Sequence, residues 1–171
     1  MKYSRFEELP VWQAGIDLTV RIFAVTCHRL FLYKGDIANQ VQRAGLSIPN
    51  NVAEGFERGT TPELLTFLYY ARGSAGEVRS ICHVILKMPE FADLKSQITV
   101  IKDLAESISR QLRGWTDSLQ NTDIKGQRYL NDKTRASYES GKRADEFVAK
   151  LKLATEAATR RKQREEKSGA I

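Results

Sequence analysis

The side chains with the most potential for chemistry in this sequence form a polar row between residues 37 and 58. The row steps by three and four residues, which places its members on one helix face; they are Gln40, Arg43, Ser47, Asn50 or Asn51, Glu54 and Arg58. The functional interpretation is a pocket in which Arg43, Asn51 and Arg58 bind a phosphate or a base. The structural interpretation is a hydrogen-bond network that fixes helix register, with Arg43 meeting Glu77 on the next helix. We favour the network, because the row contains neither a nucleophile set nor a set of metal ligands.

A second group of candidate binding residues lies in the basic C-terminal part of the chain. Residues 1–120 hold 14 Lys and Arg against 13 Asp and Glu, whereas residues 121–171 hold 13 against 8, which is +5 of the net charge of +6. Lys and Arg bind nucleic-acid phosphates regardless of sequence, because binding releases counterions. The alternative is a solvated helix, since Glu156, Glu165 and Glu166 partly neutralise this part. The predicted phosphate contacts are Lys150, Lys152, Arg160, Arg161, Lys162 and Arg164.

Two Cys-His dipeptides, 27–28 and 82–83, are the only further groups that suggest chemistry. Two Cys and two His can hold zinc, but neighbouring helical residues point about 100° apart and rarely face one metal. We therefore expect buried thiols with histidines at the rim, and no metal or other cofactor. Gly-rich phosphate loops and the known nucleophile motifs are absent from the sequence, so no enzymatic activity is predicted.

Hydrophobic periodicity predicts four long helices that position these groups. They cover about residues 10–33, 36–58, 61–88 and 93–119, and the fourth carries apolar residues in alternating steps of four and three. Four such helices with short connections form an all-α fold, most simply an up-down-up-down four-helix bundle. We divide the chain into a bundle at 1–120, a polar linker at 121–141 and a basic C-terminal helix or tail at 142–171.

Several residues predict where these helices begin, bend and pack. Asp36 and Thr61 are the expected N-caps of the second and third helices, and Pro89 is expected to end the third. Pro49 removes a backbone donor and crowds the carbonyl of Gly45, which predicts a kink near residues 47–49. Five small residues within 71–76 predict a close approach between the third helix and a neighbour.

The first helix is apolar over much of its surface, which predicts burial on more than one side. Val11, Leu18 and Ile22 form one row, and Ile16 and Phe23 belong to a second row beside it. A small bundle cannot cover both rows, so we expect a homo-oligomer. The alternative is that the C-terminal helix covers the second row.

The chain lacks the sequence features of membrane and secreted proteins. It has no apolar run of about eighteen residues, and its first residues lack the apolar core of a signal peptide. Two cysteines do not make a disulfide framework. We therefore expect a reduced, cytoplasmic protein.

The central stretch QVQRAGLSIPNNVAEGFER, with VWQAGIDL before it and ELLTFLYYARGSAGEV after it, resembles the four-helix-bundle family of 23S rRNA intervening-sequence proteins. The resemblance covers about residues 3–119. Gly45 stands where the family usually has alanine, and the part from 121 onward has no counterpart. The matching positions are Val11, Trp12, Gln13, Gln40, Arg43, Ala44, Ser47, Ile48, Asn51, Val52, Ala53, Glu54, Gly55, Arg58, Glu63, Phe67, Leu68, Ala71, Gly73, Ser74 and Glu77.

The resemblance implies a left-handed bundle that assembles into a ring, a pentamer. It also implies kinship with accessory proteins of diversity-generating retroelements, similar bundles that bind a reverse transcriptase and nucleic acid. Two hypotheses follow. The first is a non-enzymatic oligomer that binds RNA, or less favourably DNA, through backbone charge. The second is a scaffold that docks a partner protein such as a polymerase or reverse transcriptase.

Overall fold

The computed structural model describes residues 3–121, 140, 143–144 and 146–152. These residues belong to two units, of which the first comprises 3–121 and the second the remainder. Every regular element in the described residues is helical, which confirms the all-α prediction. The predicted division into bundle, linker and tail stays a prediction.

Four long helices dominate the first unit: α1 (Pro10–Thr26), α2 (Gly35–Glu57), α3 (Thr61–Leu86) and α4 (Lys95–Gln120). Short 3-10 helices occur at Phe6–Glu8, Arg29–Phe31 and Pro89–Leu94. Helix α1 contacts α2 and α4, and α3 contacts the same two helices. The four helices therefore enclose one apolar core. Among the described residues, no helix combines the length and apolar character needed to span a membrane.

The core face of α4 is the apolar row that the sequence predicts, up to Leu112. Past that point Trp115 and Leu119 are half-buried, and Thr116 is buried instead. A helix with about 3.6 residues per turn drifts away from a repeat of 3.5, which explains the change of face. The buried members of the row are Leu94, Ile98, Ile101, Ala105, Ile108 and Leu112.

Only part of the small-residue segment at 71–76 of helix α3 is buried against a neighbouring helix. Ala71 and Ala75 face the core. Gly73 and Gly76 lie on the exposed side, and a Cβ atom at either position would meet nothing within 4 Å. The expected close approach at these two glycines is wrong, because no described helix lies over them.

Helix α1 ends at Thr26, earlier than the predicted end near residue 33. The chain then turns through the 3-10 helix Arg29–Phe31, capped by the side chain of His28. Phe31 is buried, with its ring centroid 4.9 Å from that of Phe91 in the α3–α4 connection. Burial of this pair draws the chain inward, which a continuous helix would prevent.

Both predicted N-caps are displaced by one residue or more. Asp36 lies inside the first turn of α2, whose N-cap is Lys34 without a side-chain cap bond. Thr60, and not Thr61, caps α3: its Oγ1 accepts a hydrogen bond from the backbone N–H of Glu63 at 3.4 Å. Thr61 is the first helical residue and is buried.

Helix α2 continues through Pro49, and its missing hydrogen bond is replaced from α1. Without a proline N–H, the carbonyl of Gly45 has no helical donor. The hydroxyl of Thr19 lies 3.0 Å from that carbonyl oxygen and 2.7 Å from the carbonyl oxygen of Gly15. A Cβ atom at Gly45 would lie 2.6 Å from Cδ1 of Ile22. Glycine therefore permits close approach of α1, and the predicted kink stays a prediction.

Helix α3 ends at Leu86, three residues before the position expected to end it. Pro89 instead begins the 3-10 helix that precedes α4.

Candidate nucleic-acid interface

The central part of the polar face of α2 is a hydrogen-bond network. Asn51 Nδ2 donates to the carbonyl oxygen of Ser47 at 2.8 Å and to its Oγ at 2.9 Å. Ser74 Oγ on α3 donates to Ser47 Oγ at 2.9 Å. Asn51, and not the exposed Asn50, is the amide that takes part. These bonds join α2 to α3 and hold Asn51 in one orientation.

The C-terminal end of the same face carries an ion pair beside aromatic rings. Arg58 Nη2 lies 2.6 Å from Glu54 Oε1, and both side chains are about half exposed. Glu54 raises the pKa of the Arg58 guanidinium above its usual value. The guanidinium carbon lies 5.2 Å from the centroid of the Phe67 ring, which makes an edge contact with Tyr70. Arg58 is thus a positioned cation whose charge is partly neutralised.

Arg43 lies apart from Asn51 and Arg58, in an open groove of about 480 Å³. It is exposed, and none of the ion pairs among the described residues joins it to Glu77. Neither Asn51 nor Arg58 lines the groove. The residues that line it are Phe23, Asp36, Asn39, Gln40, Gln42, Arg43 and Leu46.

Residues 39, 42 and 46 belong to the groove but not to the polar row that runs from Gln40 to Arg58. Their spacing of three and four residues is helical and could have shown that Asn39, Gln42 and Leu46 share a face. The spacing within α2 could not show that Phe23 of α1 also lines the groove. Gln42 Nε2 donates to Thr26 Oγ1 at 2.7 Å, so this amide also ties α2 to the end of α1.

Two of the predicted basic contacts in the C-terminal part can be placed. Lys150 and Lys152 are exposed and lie in helical residues 146–152. The other four, Arg160, Arg161, Lys162 and Arg164, lie outside the described residues.

The two cysteines have different surroundings. Cys82 is buried, and burial raises the pKa of its thiol to about 12. Cys27 is exposed, so its predicted burial is wrong; it follows the last residue of α1, where the chain leaves the core. Within the described residues, no three His, Cys, Asp or Glu side chains form a cluster that could hold a metal ion.

Part of the second apolar row of α1 is exposed in the single chain, together with Val20, whereas Trp12 and Leu30 of that row pack against the core. Ile16, Val20 and Phe23 expose 37%, 61% and 42% of their surface. Their spacing places them on one side of the helix. We call these three residues the apolar face of α1 (Ile16, Val20 and Phe23), which the other described helices leave partly exposed.

A model of the family described as 23S rRNA-intervening sequence protein matches residues 7–114. No curated protein matches the chain.

Proposed function

The chain belongs to the 23S rRNA-intervening sequence protein family, and on that premise we propose that it is a non-enzymatic oligomer that binds nucleic acid. RNA is favoured over DNA, and the phosphate backbone is the main feature recognised. The four long helices form a left-handed, up-down-up-down bundle, and copies of the chain assemble into a ring, a pentamer. The protein acts in the cytoplasm without a cofactor.

The observation that carries this proposal is the placement of positive charge. Residues 121–171 carry +5 of the net charge of +6, and Lys150 and Lys152 are exposed on a helix. Arg43 adds an exposed cation in the first unit. Exposed ammonium and guanidinium groups suit phosphate neutralisation, which is independent of base sequence. In a ring, several copies of each contact act on one strand, so that weak contacts add by avidity.

A salt titration of RNA binding tests the proposal. Binding of a labelled single-stranded RNA is measured by fluorescence anisotropy. The logarithm of the association constant should fall linearly with the logarithm of the salt concentration, with a slope of about −0.7 per phosphate contact. The double substitution Lys150→Gln and Lys152→Gln should make the slope shallower by about 1.4 for each copy of the chain that contacts the RNA. Removal of residues 142–171 should weaken binding more than Arg43→Gln does.

A matched control is Arg21→Gln. Arg21 is exposed but forms an ion pair with Asp17 at 2.9 Å, so its loss should leave the slope unchanged. Unchanged affinity after removal of 142–171 would refute the charge argument. The same samples measured by light scattering give the mass of the assembly, and a monomer would refute the ring.

A second candidate function is a scaffold that docks a partner protein such as a polymerase or reverse transcriptase. The exposed apolar face of α1 favours it, because contiguous apolar surface marks protein contacts. A scaffold would co-purify with its partner in high salt and would not bind RNA alone. Val20→Asp should then abolish co-purification, whereas Val84→Asp, at a 53% exposed position on α3, should not.

A further inference from the structure

We infer that the groove between α1 and the N-terminal half of α2 binds an unpaired nucleobase. The inference rests on the proposed nucleic-acid function and adds recognition of the base to recognition of the backbone. The groove has a volume of about 480 Å³ and presents apolar, amide and charged groups together.

The apolar surfaces of the groove suit the face of a base. Phe23 on α1 exposes 42% of its surface, and Leu46 on α2 exposes 44%. Both line the groove, from different helices. Proteins bind unpaired bases by stacking them on aromatic rings that are already held in place. Phe23 belongs to helix α1 and its side chain lines the groove, so a base that enters the groove can stack on its ring.

The amides of the groove suit the edge of a base. Asn39 and Gln40 are exposed, and no hydrogen bond joins either side chain to another described residue. Gln42 uses its Nε2 on Thr26 Oγ1, which leaves its carbonyl oxygen to accept. Each free amide places a donor beside an acceptor, the pattern that base edges display.

The charges of the groove argue against an isolated phosphate and against an apolar protein surface. Arg43 attracts a phosphate, but Asp36 in the same groove repels it. A nucleotide satisfies both, since Arg43 can bind its phosphate while Asp36 accepts from a base amino group or the 2′-hydroxyl. An apolar partner would leave Asn39 and Gln40 without hydrogen bonds, which is unfavourable.

The experiment compares a short single-stranded RNA with an RNA duplex of matched length, by anisotropy on the full chain at fixed salt. Phe23→Leu keeps an apolar side chain but removes the ring, and should weaken single-strand binding about tenfold. Gln40→Ala should weaken it about fivefold. Neither change should alter duplex binding, because paired bases cannot enter the groove. The control is Gln97→Ala, an exposed amide on α4, which should change neither affinity.

The outcomes separate this inference from the proposed function. If the chain binds neither RNA, both are overturned. If it binds both with the expected salt dependence, but Phe23→Leu and Gln40→Ala behave like Gln97→Ala, the groove inference alone is overturned. Light scattering of Phe23→Leu adds a further test: a smaller assembly would make the groove a contact between copies and would overturn base binding there. An unchanged mass with selective loss of single-strand affinity supports the inference.

Discussion

Replacement of Thr19 by valine tests how α1 and α2 are held together. Valine has nearly the shape of threonine but no hydroxyl, so the substitution removes the hydrogen bonds to the carbonyl oxygens of Gly15, which keeps its helical donor, and of Gly45. Pro49 supplies no N–H to that oxygen, and the site is buried. The carbonyl would therefore lose its donor without gaining water.

The expected loss of stability depends on whether the carbonyl oxygen has another donor besides the threonine hydroxyl. A buried acceptor without a partner costs about 1–3 kcal/mol, and we expect Thr19→Val to lower the free energy of unfolding by about 2 kcal/mol. Thr116→Val is the matched control: Thr116 is 1% exposed and donates to the carbonyl oxygen of Arg113 at 2.8 Å. That oxygen also has a helical donor, so the control should cost about 1 kcal/mol or less.

The assay is urea unfolding followed by circular dichroism at one protein concentration, because assembly also affects apparent stability. Each variant is measured alone and together with Pro49→Ala, which restores an N–H at position 49. In that background Gly45 regains its helical donor, and the cost of Thr19→Val should fall by about 1 kcal/mol or more. Equal costs of Thr19→Val in the two backgrounds would refute the reasoning.

Four further predictions concern the same unit. Gly55→Ala should destabilise it by about 1–3 kcal/mol, because the new Cβ would lie 2.7 Å from a side-chain carbon of α3. Gly76→Ala, with open space around it, should stabilise it by about 0.5–1 kcal/mol; thermal melts that shift in the same direction for both would contradict the described packing. Thr60→Ala should cost about 1 kcal/mol through loss of the α3 cap, and an unchanged melt would show that the cap bond contributes nothing. Iodoacetamide at mildly alkaline pH should modify Cys27 in the folded protein and Cys82 only after unfolding, since burial raises the pKa of the Cys82 thiol to about 12; equal rates by mass spectrometry would contradict its burial.

The Cys82 thiol also gives a pH dependence with a defined sign. Its folded pKa is raised from 9.0 to about 12, so above pH 9 the unfolded chain releases a proton that the folded chain keeps. Stability should therefore fall as pH rises through this window. The urea midpoints of the wild type and of Cys82→Ala should converge as the pH rises from 9 towards 12, because only the wild type has this thiol to lose a proton.

The sequence predicted those parts of the fold that depend on periodicity within one helix. The core face of α4 could be read because its apolar residues repeat without interruption from Leu94 to Leu112. The end of α1 could not, because it depends on Phe31 meeting Phe91, which is distant in the chain. Periodicity alone does not encode such a partner.

In the candidate interface, too, the sequence predicts contacts within one helix but not those between helices. The hydrogen bonds of Asn51 and the ion pair of Arg58 follow from spacing on one helix, and the structure forms both. The groove around Arg43 requires Phe23 from another helix, so its full composition could not be predicted. The sequence did not predict the role of Thr19. Its hydroxyl can replace the helical donor that Pro49 denies to the carbonyl of Gly45 only once α1 packs on α2, and the sequence does not show this packing.

The contact between Phe31 and Phe91 has a consequence for folding kinetics. It joins the α1–α2 connection to the α3–α4 connection, and the ion pair between Lys34 and Glu90 at 3.3 Å joins the same two segments. Closure of so long a loop is entropically unfavourable until helices on both sides are formed. The pair should therefore form after the rate-limiting step, and Phe31→Leu should accelerate unfolding while leaving the folding rate almost unchanged. The end of the molecule that holds these two connections would then be the first to open and the last to close.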